Sequence, residues 1–158
     1  MLSSDANKVR HIVSSLFVLC AAVAWLSTHA IAGETPTVKV FKSPTCGCCT
    51  KWISHLEANG FQVEAENVRD VASIKRENGL PQHLASCHTA FVGGYLIEGH
   101  VPARDILTLL RQKPPIAGLA VPKMPIGSPG MEGPKPERYD VIAFDADGKQ
   151  RVFATHGP

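Results

Sequence analysis

The stretch TVKVFKSPTCGCCTKWISHLEANG, residues 37–60, decides how this chain is read. Thr37 to Lys42 alternates β-branched or aromatic side chains with polar ones, which is the period of a strand. Ser43-Pro44-Thr45 breaks the alternation. From near Cys48 to Asn59, Trp52, Ile53 and Leu56 gather on one helical face, and Gly60 supplies a C-terminal stop. Cys46, Cys48 and Cys49 therefore fall where a strand hands over to a helix. The free N–H groups and dipole of a helix N-terminus favour thiolate, the reactive and metal-binding form of cysteine.

Working outward, Phe61 to Val68 reads as a second strand, and Asp70 caps a short helix through Asn78 that Gly79 and Pro81 end. Thr89 to Val92 and Tyr95 to Glu98 flank Gly93-Gly94, a tight-hairpin signal. Pro102 opens a helix whose apolar face holds Ile106, Leu107, Leu109 and Leu110, ending before Pro114-Pro115. This order predicts an α/β, thioredoxin-like βαβ-α-ββα domain over residues 33–113, with the first cysteine group at the redox position of that fold. Residues 114–158 form a C-terminal extension expected to fold over the site. Seven of the 12 prolines lie in 114–136 with four glycines, a density that predicts no helix and no central strand there. Tyr139 to Phe144 and Gln150 to Thr155 flank Asp147-Gly148, which predicts a terminal β-hairpin. Asp145 and Asp147 resemble the start of a calcium loop but lack its remaining ligands, so a turn is expected.

Residues 1–32 have the three parts of a secretory signal peptide: Lys8, Arg10 and His11, the 15-residue apolar run Ile12–Leu26, and Ala30-Ile31-Ala32 before the cleavage point. The expected mature chain starts at Gly33, in the periplasm of a bacterium, without a membrane anchor. Removing Lys8, Arg10 and Asp5 from the 16 basic and 14 acidic residues leaves 14 against 13. That balance, with no basic stripe, argues against nucleic acid or an anionic membrane as partner. One monomeric domain of this size can bury a sizeable core.

Cys46, Cys48, Cys49 and Cys87 remain once Cys20 leaves with the leader. Their spacing suits chemistry better than structural staples, because a staple gains most by closing a long loop. Cys46 and Cys49 have the C-x-x-C spacing of a redox pair, which leaves Cys48 and Cys87 without a role. A mononuclear zinc site needs ligands spread tetrahedrally, whereas C-x-C-C crowds them. Cu(I) prefers thiolate and thioether ligands and tolerates shared sulfur, so crowding favours a polynuclear copper–thiolate cluster. The thioredoxin-like topology brings the Ser86-Cys87-His88-Thr89 loop towards the first helix, with His88 where that fold usually carries a cis-proline. His83 and His88 flank Cys87 as candidate supporting donors, and His88 joins the candidate metal set. Met124 and Met131, in a loop rather than on a helical face, are candidate thioether ligands. His55 reads as an exposed helix residue, His100 as a capping or packing residue, and His156 as uninformative near the terminus.

TCGCCTKW, SCHTAFVGGYLIEGHVPARDI and GLAVPKMPIGSPGME, in that order, resemble the bacterial copper-resistance CopG family, long catalogued as a domain of unknown function. The resemblance spans essentially the whole mature chain. It implies a thioredoxin-like domain with a metal-binding extension, a periplasmic role in copper tolerance and interconversion of Cu(I) and Cu(II). It also implies Cys46, Cys48, Cys49 and Cys87 as copper ligands, with the extension that holds Met124 and Met131 completing the site. The resulting expectation is a copper-dependent oxidoreductase with Cys46 and Cys49 as its catalytic cysteines. Copper ions, and periplasmic efflux or copper-carrier proteins, are its expected partners. The alternatives are a thiol–disulfide oxidoreductase using Cys46 and Cys49, and a passive copper carrier or store.

Overall fold

The computed structural model describes residues 35–158; the expected signal peptide and its cleavage site lie outside them. Strand β1 (Thr37–Lys42) runs into helix α1 (Gly47–Ala58), with Cys46 at the N-cap position. Helix α1 buries Cys49, Trp52 and Leu56, the i, i+3, i+7 stripe of an amphipathic helix. The Trp52 indole N–H, which burial would otherwise leave unpaired, donates to the Val101 carbonyl at 2.9 Å. Strand β2 (Gln62–Asn67) returns parallel to β1, as a βαβ unit requires. Helix α2 (Val71–Glu77) starts at Asp70, whose carboxylate accepts from the Ser73 N–H at 3.0 Å.

Strands β3 (His88–Val92) and β4 (Tyr95–Glu98) form the expected hairpin, with Gly93 and Gly94 at φ +55° and +86°. Both central positions of a type I′ turn need such values, which glycine adopts without steric cost. Helix α3 (Ala103–Gln112) follows, and strands β5 (Gly118–Ala120), β6 (Tyr139–Phe144) and β7 (Gln150–His156) complete the chain. The seven strands among the described residues lie in one mixed sheet of order β2-β1-β3-β4-β5-β6-β7. The core residues Val38, Val40, Ala90, Ile97, Leu119 and Val141 come from five strands and pack with Trp52, Leu56, Ile106 and Leu109. Among the described residues, no helix is long and apolar enough to cross a membrane.

The expectation that no central strand survives in the proline-rich segment is corrected: β5 lies inside the sheet, parallel to β4 and antiparallel to β6. The three residues Gly118-Leu119-Ala120 lie between Pro115 and Pro122, so no ladder donor is missing from them. A Cβ on Gly118 would stand 2.0 Å from the Leu96 carbonyl oxygen and 2.9 Å from the Phe144 ring. Glycine is needed here for close backbone approach. Gly118→Ala should therefore destabilise the fold by about 1–3 kcal/mol through overpacking, read as a lower denaturant midpoint with an unchanged slope. An unchanged midpoint would refute this account of β5.

The extension is thus continuous with the sheet. Asp145 holds the β6–β7 turn by accepting from the backbone N–H of Asp147 at 3.0 Å and of Lys149 at 2.8 Å.

Candidate metal centre

The N-terminus of α1 presents the first three cysteines, and the segment between α2 and β3 presents the fourth. The Sγ atoms of Cys46, Cys48, Cys49 and Cys87 all lie within 4.8 Å of one another. Cys46 and Cys49, whose Cα atoms are 5.4 Å apart, form a disulfide, and Cys48 and Cys87 are free. Each disulfide sulfur has a free thiol beside it: Cys48 Sγ is 3.5 Å from Cys46 Sγ, and Cys87 Sγ is 3.6 Å from Cys49 Sγ. Cys49 is fully buried, whereas Cys46 is part-exposed.

Cys87 also meets two imidazoles. Its Sγ lies 3.3 Å from His88 Nδ1 and 3.1 Å from His100 Nε2, and the three ligand atoms fall within 4.8 Å of one another. His100 Nδ1–H donates to the Pro129 carbonyl at 2.7 Å, which leaves the Nε2 lone pair facing Cys87. Such a carbonyl partner, which fixes tautomer and ring orientation, is the usual support of a metal-binding histidine. His88 is fully buried, with its ring 4.3 Å from that of Trp52, and its Nε2 has no hydrogen-bond partner.

The sequence reading assigned His100 to capping or packing and so missed its place here. The pairing register could have found it. In the β3–β4 ladder Thr89 faces Glu98, and two further steps set Cys87 opposite His100. His55 is part-buried rather than exposed, and its Nε2 accepts from the Ala103 N–H at 3.1 Å, capping α3. His156, read as uninformative, is buried and bonds Asp105 at 2.6 Å, tying β7 to the first turn of α3. His83 stands apart, exchanging a hydrogen bond with Gln150.

Residues 127–132 cross over the start of α1. Gly130, at φ +85°, lies so close that a Cβ would stand 2.7 Å from the Cys48 carbonyl oxygen and 2.9 Å from the Trp52 nitrogen. The turn is closed by Met131 N–H to the Ser128 carbonyl at 2.8 Å and Gly130 N–H to Glu132 Oε1 at 2.7 Å. Met131 is half-buried in this crossing segment. Met124 is 45% exposed and opens onto a cleft with Lys123, Arg138 and Tyr139. The carbonyl of the neighbouring Lys123 accepts from the Ser86 hydroxyl, beside Cys87.

A buried ion pair holds the Cys87 loop from behind. Glu98, fully buried, pairs with Lys75 of α2 and accepts from the Ser86 N–H at 2.6 Å and the Thr89 hydroxyl at 2.7 Å. Burial raises the Glu98 carboxyl above its usual range, with Lys75 opposing. Burial, then the electrostatic influence of neighbouring Cys48, pushes the Cys87 thiol up to about 12. The resting thiol is therefore protonated, and a metal bound here would have to displace that proton.

Residues 84–131 match the family described as "Protein of unknown function, DUF411", a span that includes Cys87, His88, His100 and Gly130. Two solved structures, of "Copper resistance protein copG" in forms 1 and 2, are each 43% identical with a TM-score of 0.75. They are matched over 100% of their own chains, which covers 79% and 78% of this one. The chain belongs to the CopG family. No curated protein matches it. In this chain the donor set fits a soft metal: crowded sulfur with imidazole nitrogen beside it.

Burial, followed by the charges of His100 and Lys75, holds His88 well below the usual imidazole range. Below about pH 6.5 the unfolded chain takes up a proton that folded His88 refuses, so its stabilising contribution, present above that pH, is lost as pH falls. For the metal-free protein, the fall in stability between pH 7 and 5 should be shallower in His88→Phe. The expected difference approaches 1.4 kcal/mol per pH unit. Equal slopes in denaturant melts across this range would contradict the neutral, buried assignment.

Proposed function

We propose that this protein is an exported copper-resistance protein of the periplasm that holds copper in a polynuclear thiolate cluster and interconverts Cu(I) and Cu(II). The observation that carries the reading is the convergence of Cys46, Cys48, Cys49 and Cys87 within 4.8 Å, with His88 and His100 on Cys87. A shared thiolate neutralises two ions at once, so crowded sulfurs hold several Cu(I) ions more readily than they surround one zinc. The two related structures are of a copper resistance protein, which supports copper as the metal. The element order from β1 to α3 supports a thioredoxin-like core, with β5–β7 as the extension. Met124 and Met131 are the thioether candidates of that extension. The reading takes the protein as a monomer whose partners are copper ions and periplasmic efflux or copper-carrier proteins.

Anaerobic titration of the reduced protein with Cu(I) tests the cluster directly. Saturation above one equivalent is expected, and saturation at one, or preferential retention of zinc under competition, would sink the polynuclear reading. One observation favours a second reading. The closed Cys46–Cys49 disulfide is what a thiol–disulfide oxidoreductase would present, and catalysed insulin reduction without copper retention would select it.

A further inference from the structure

We propose that the Cys46–Cys49 pair is a two-electron store for the copper held beside it, so that the reduced pair converts two Cu(II) ions to Cu(I) and closes to the disulfide. This rests on the copper-binding reading above. The balance is complete: two thiolates give up one electron each, two Cu(II) ions accept one each, and one S–S bond forms. A dithiol reductant resets the pair by taking over the disulfide.

Three arrangements carry the inference. First, the disulfide leaves a donor group intact, because Cys87, His88 and His100 converge without using either bonded sulfur. A sulfur with two imidazoles suits either oxidation state of copper, so the ion need not leave when its electron arrives. Second, the store and the donor group are in contact. Cys49 Sγ lies 3.6 Å from Cys87 Sγ, which is shared by the imidazoles, and Cys48 Sγ lies 3.5 Å from Cys46 Sγ on the other side. Each sulfur of the pair thus faces its own free thiol, matching a two-electron donor to two one-electron acceptors. Third, Cys49 is fully buried and the residue 127–132 segment crosses the helix start, so external thiols reach the pair only through part-exposed Cys46. The third cysteine of the C-x-C-C run then has a use that a simple redox pair lacks: it remains a ligand when the other two become a disulfide.

The test uses the full mature chain, reduced, freed of reductant and kept anaerobic, then mixed with two equivalents of Cu(II)–glycine. The expected result is loss of the Cu(II) electron paramagnetic resonance signal and recovery of two Cu(I) per chain by a chromogenic chelator. Two thiols should disappear, with peptide mapping placing the new bond between Cys46 and Cys49 while Cys48 and Cys87 stay alkylatable. Cys46→Ser should reduce Cu(II) at least about tenfold more slowly, since the intramolecular partner is gone. A His88→Asn/His100→Asn double variant should still close the disulfide with diamide, yet lose the fast reaction with Cu(II). Persistence of the Cu(II) signal with all four thiols intact would overturn the proposal, as would a bond mapped to Cys48 or Cys87. Cu(I) titration separates the two failures: a protein that retains Cu(I) but does not exchange electrons refutes the store alone, whereas one that retains no Cu(I) refutes the binding reading itself.

Discussion

Cys87→Ser lowers the amount of copper bound at saturation and changes the copper-dependent spectrum while leaving the fold intact; this is the largest expected effect at the site. Cys87 is the one side chain common to the four-sulfur group and to the group with His88 and His100. In the proposed cluster its loss would remove a thiolate able to bridge ions, together with the link between the two groups. The substitution is nearly isosteric and the site is only part-buried, so the circular-dichroism spectrum and thermal midpoint should change little. Thioethers are neutral and do not bridge, so Met124→Leu and Met131→Leu should weaken affinity in at least one case and retain most of the copper. A Cys87→Ser protein that binds copper like its parent would refute the shared-thiolate site. If either methionine change abolished binding, the extension would be the principal ligand source.

The second large effect is on stability. Lys75→Ala leaves fully buried Glu98 with the Ser86 N–H and Thr89 hydroxyl but without its counter-charge. Removing one member of a buried pair costs about 3–5 kcal/mol. The pH dependence has a defined sign. Glu98 is already raised by burial, and losing Lys75 raises it further. A carboxyl raised in the folded state takes up its proton more readily there than in the unfolded chain. The stability deficit of the variant should therefore be largest at neutral pH and shrink as pH falls towards the unfolded carboxylate value of about 4.3. Chemical denaturation at pH 7 and pH 5 checks both magnitude and sign. A second variant, Lys75→Met with Glu98→Leu, should recover much of the stability, since replacing both partners by apolar groups is often neutral. It should not recover copper affinity, because the Ser86 N–H beside Cys87 has then lost its acceptor. Full recovery of both would show that the pair has no role in positioning the Cys87 loop.

Much of the chain was legible locally. Alternation in Thr37–Lys42, the Trp52–Leu56 face and the Gly93-Gly94 turn each depend on residues a few positions apart, and the corresponding elements are present. The four cysteines stood out by spacing and type. Legibility failed where a residue's neighbours are remote in sequence. The strand at Gly118–Ala120 has no periodic signature of its own; it exists because Leu96–Glu98 offers it a free edge and Phe144 a partner on the other side. His55 and His156 read as unremarkable because their partners, Ala103 and Asp105, lie 48 and 51 residues away.

The sequence by itself determined the strand-to-helix junction that carries the C-x-C-C run, the order of elements through α3 and membership of the CopG family. These depend on side-chain identity and short spacing, which a linear string preserves. Only the tertiary structure decided that His100 faces Cys87 and that Gly130 closes over the helix start. Those contacts arise from strand register and from backbone approach, and both are properties of how the elements pack. The His100 tautomer is the clearest case: it is set by a carbonyl at Pro129, 29 residues away, in a segment whose own composition indicated only a proline-rich loop.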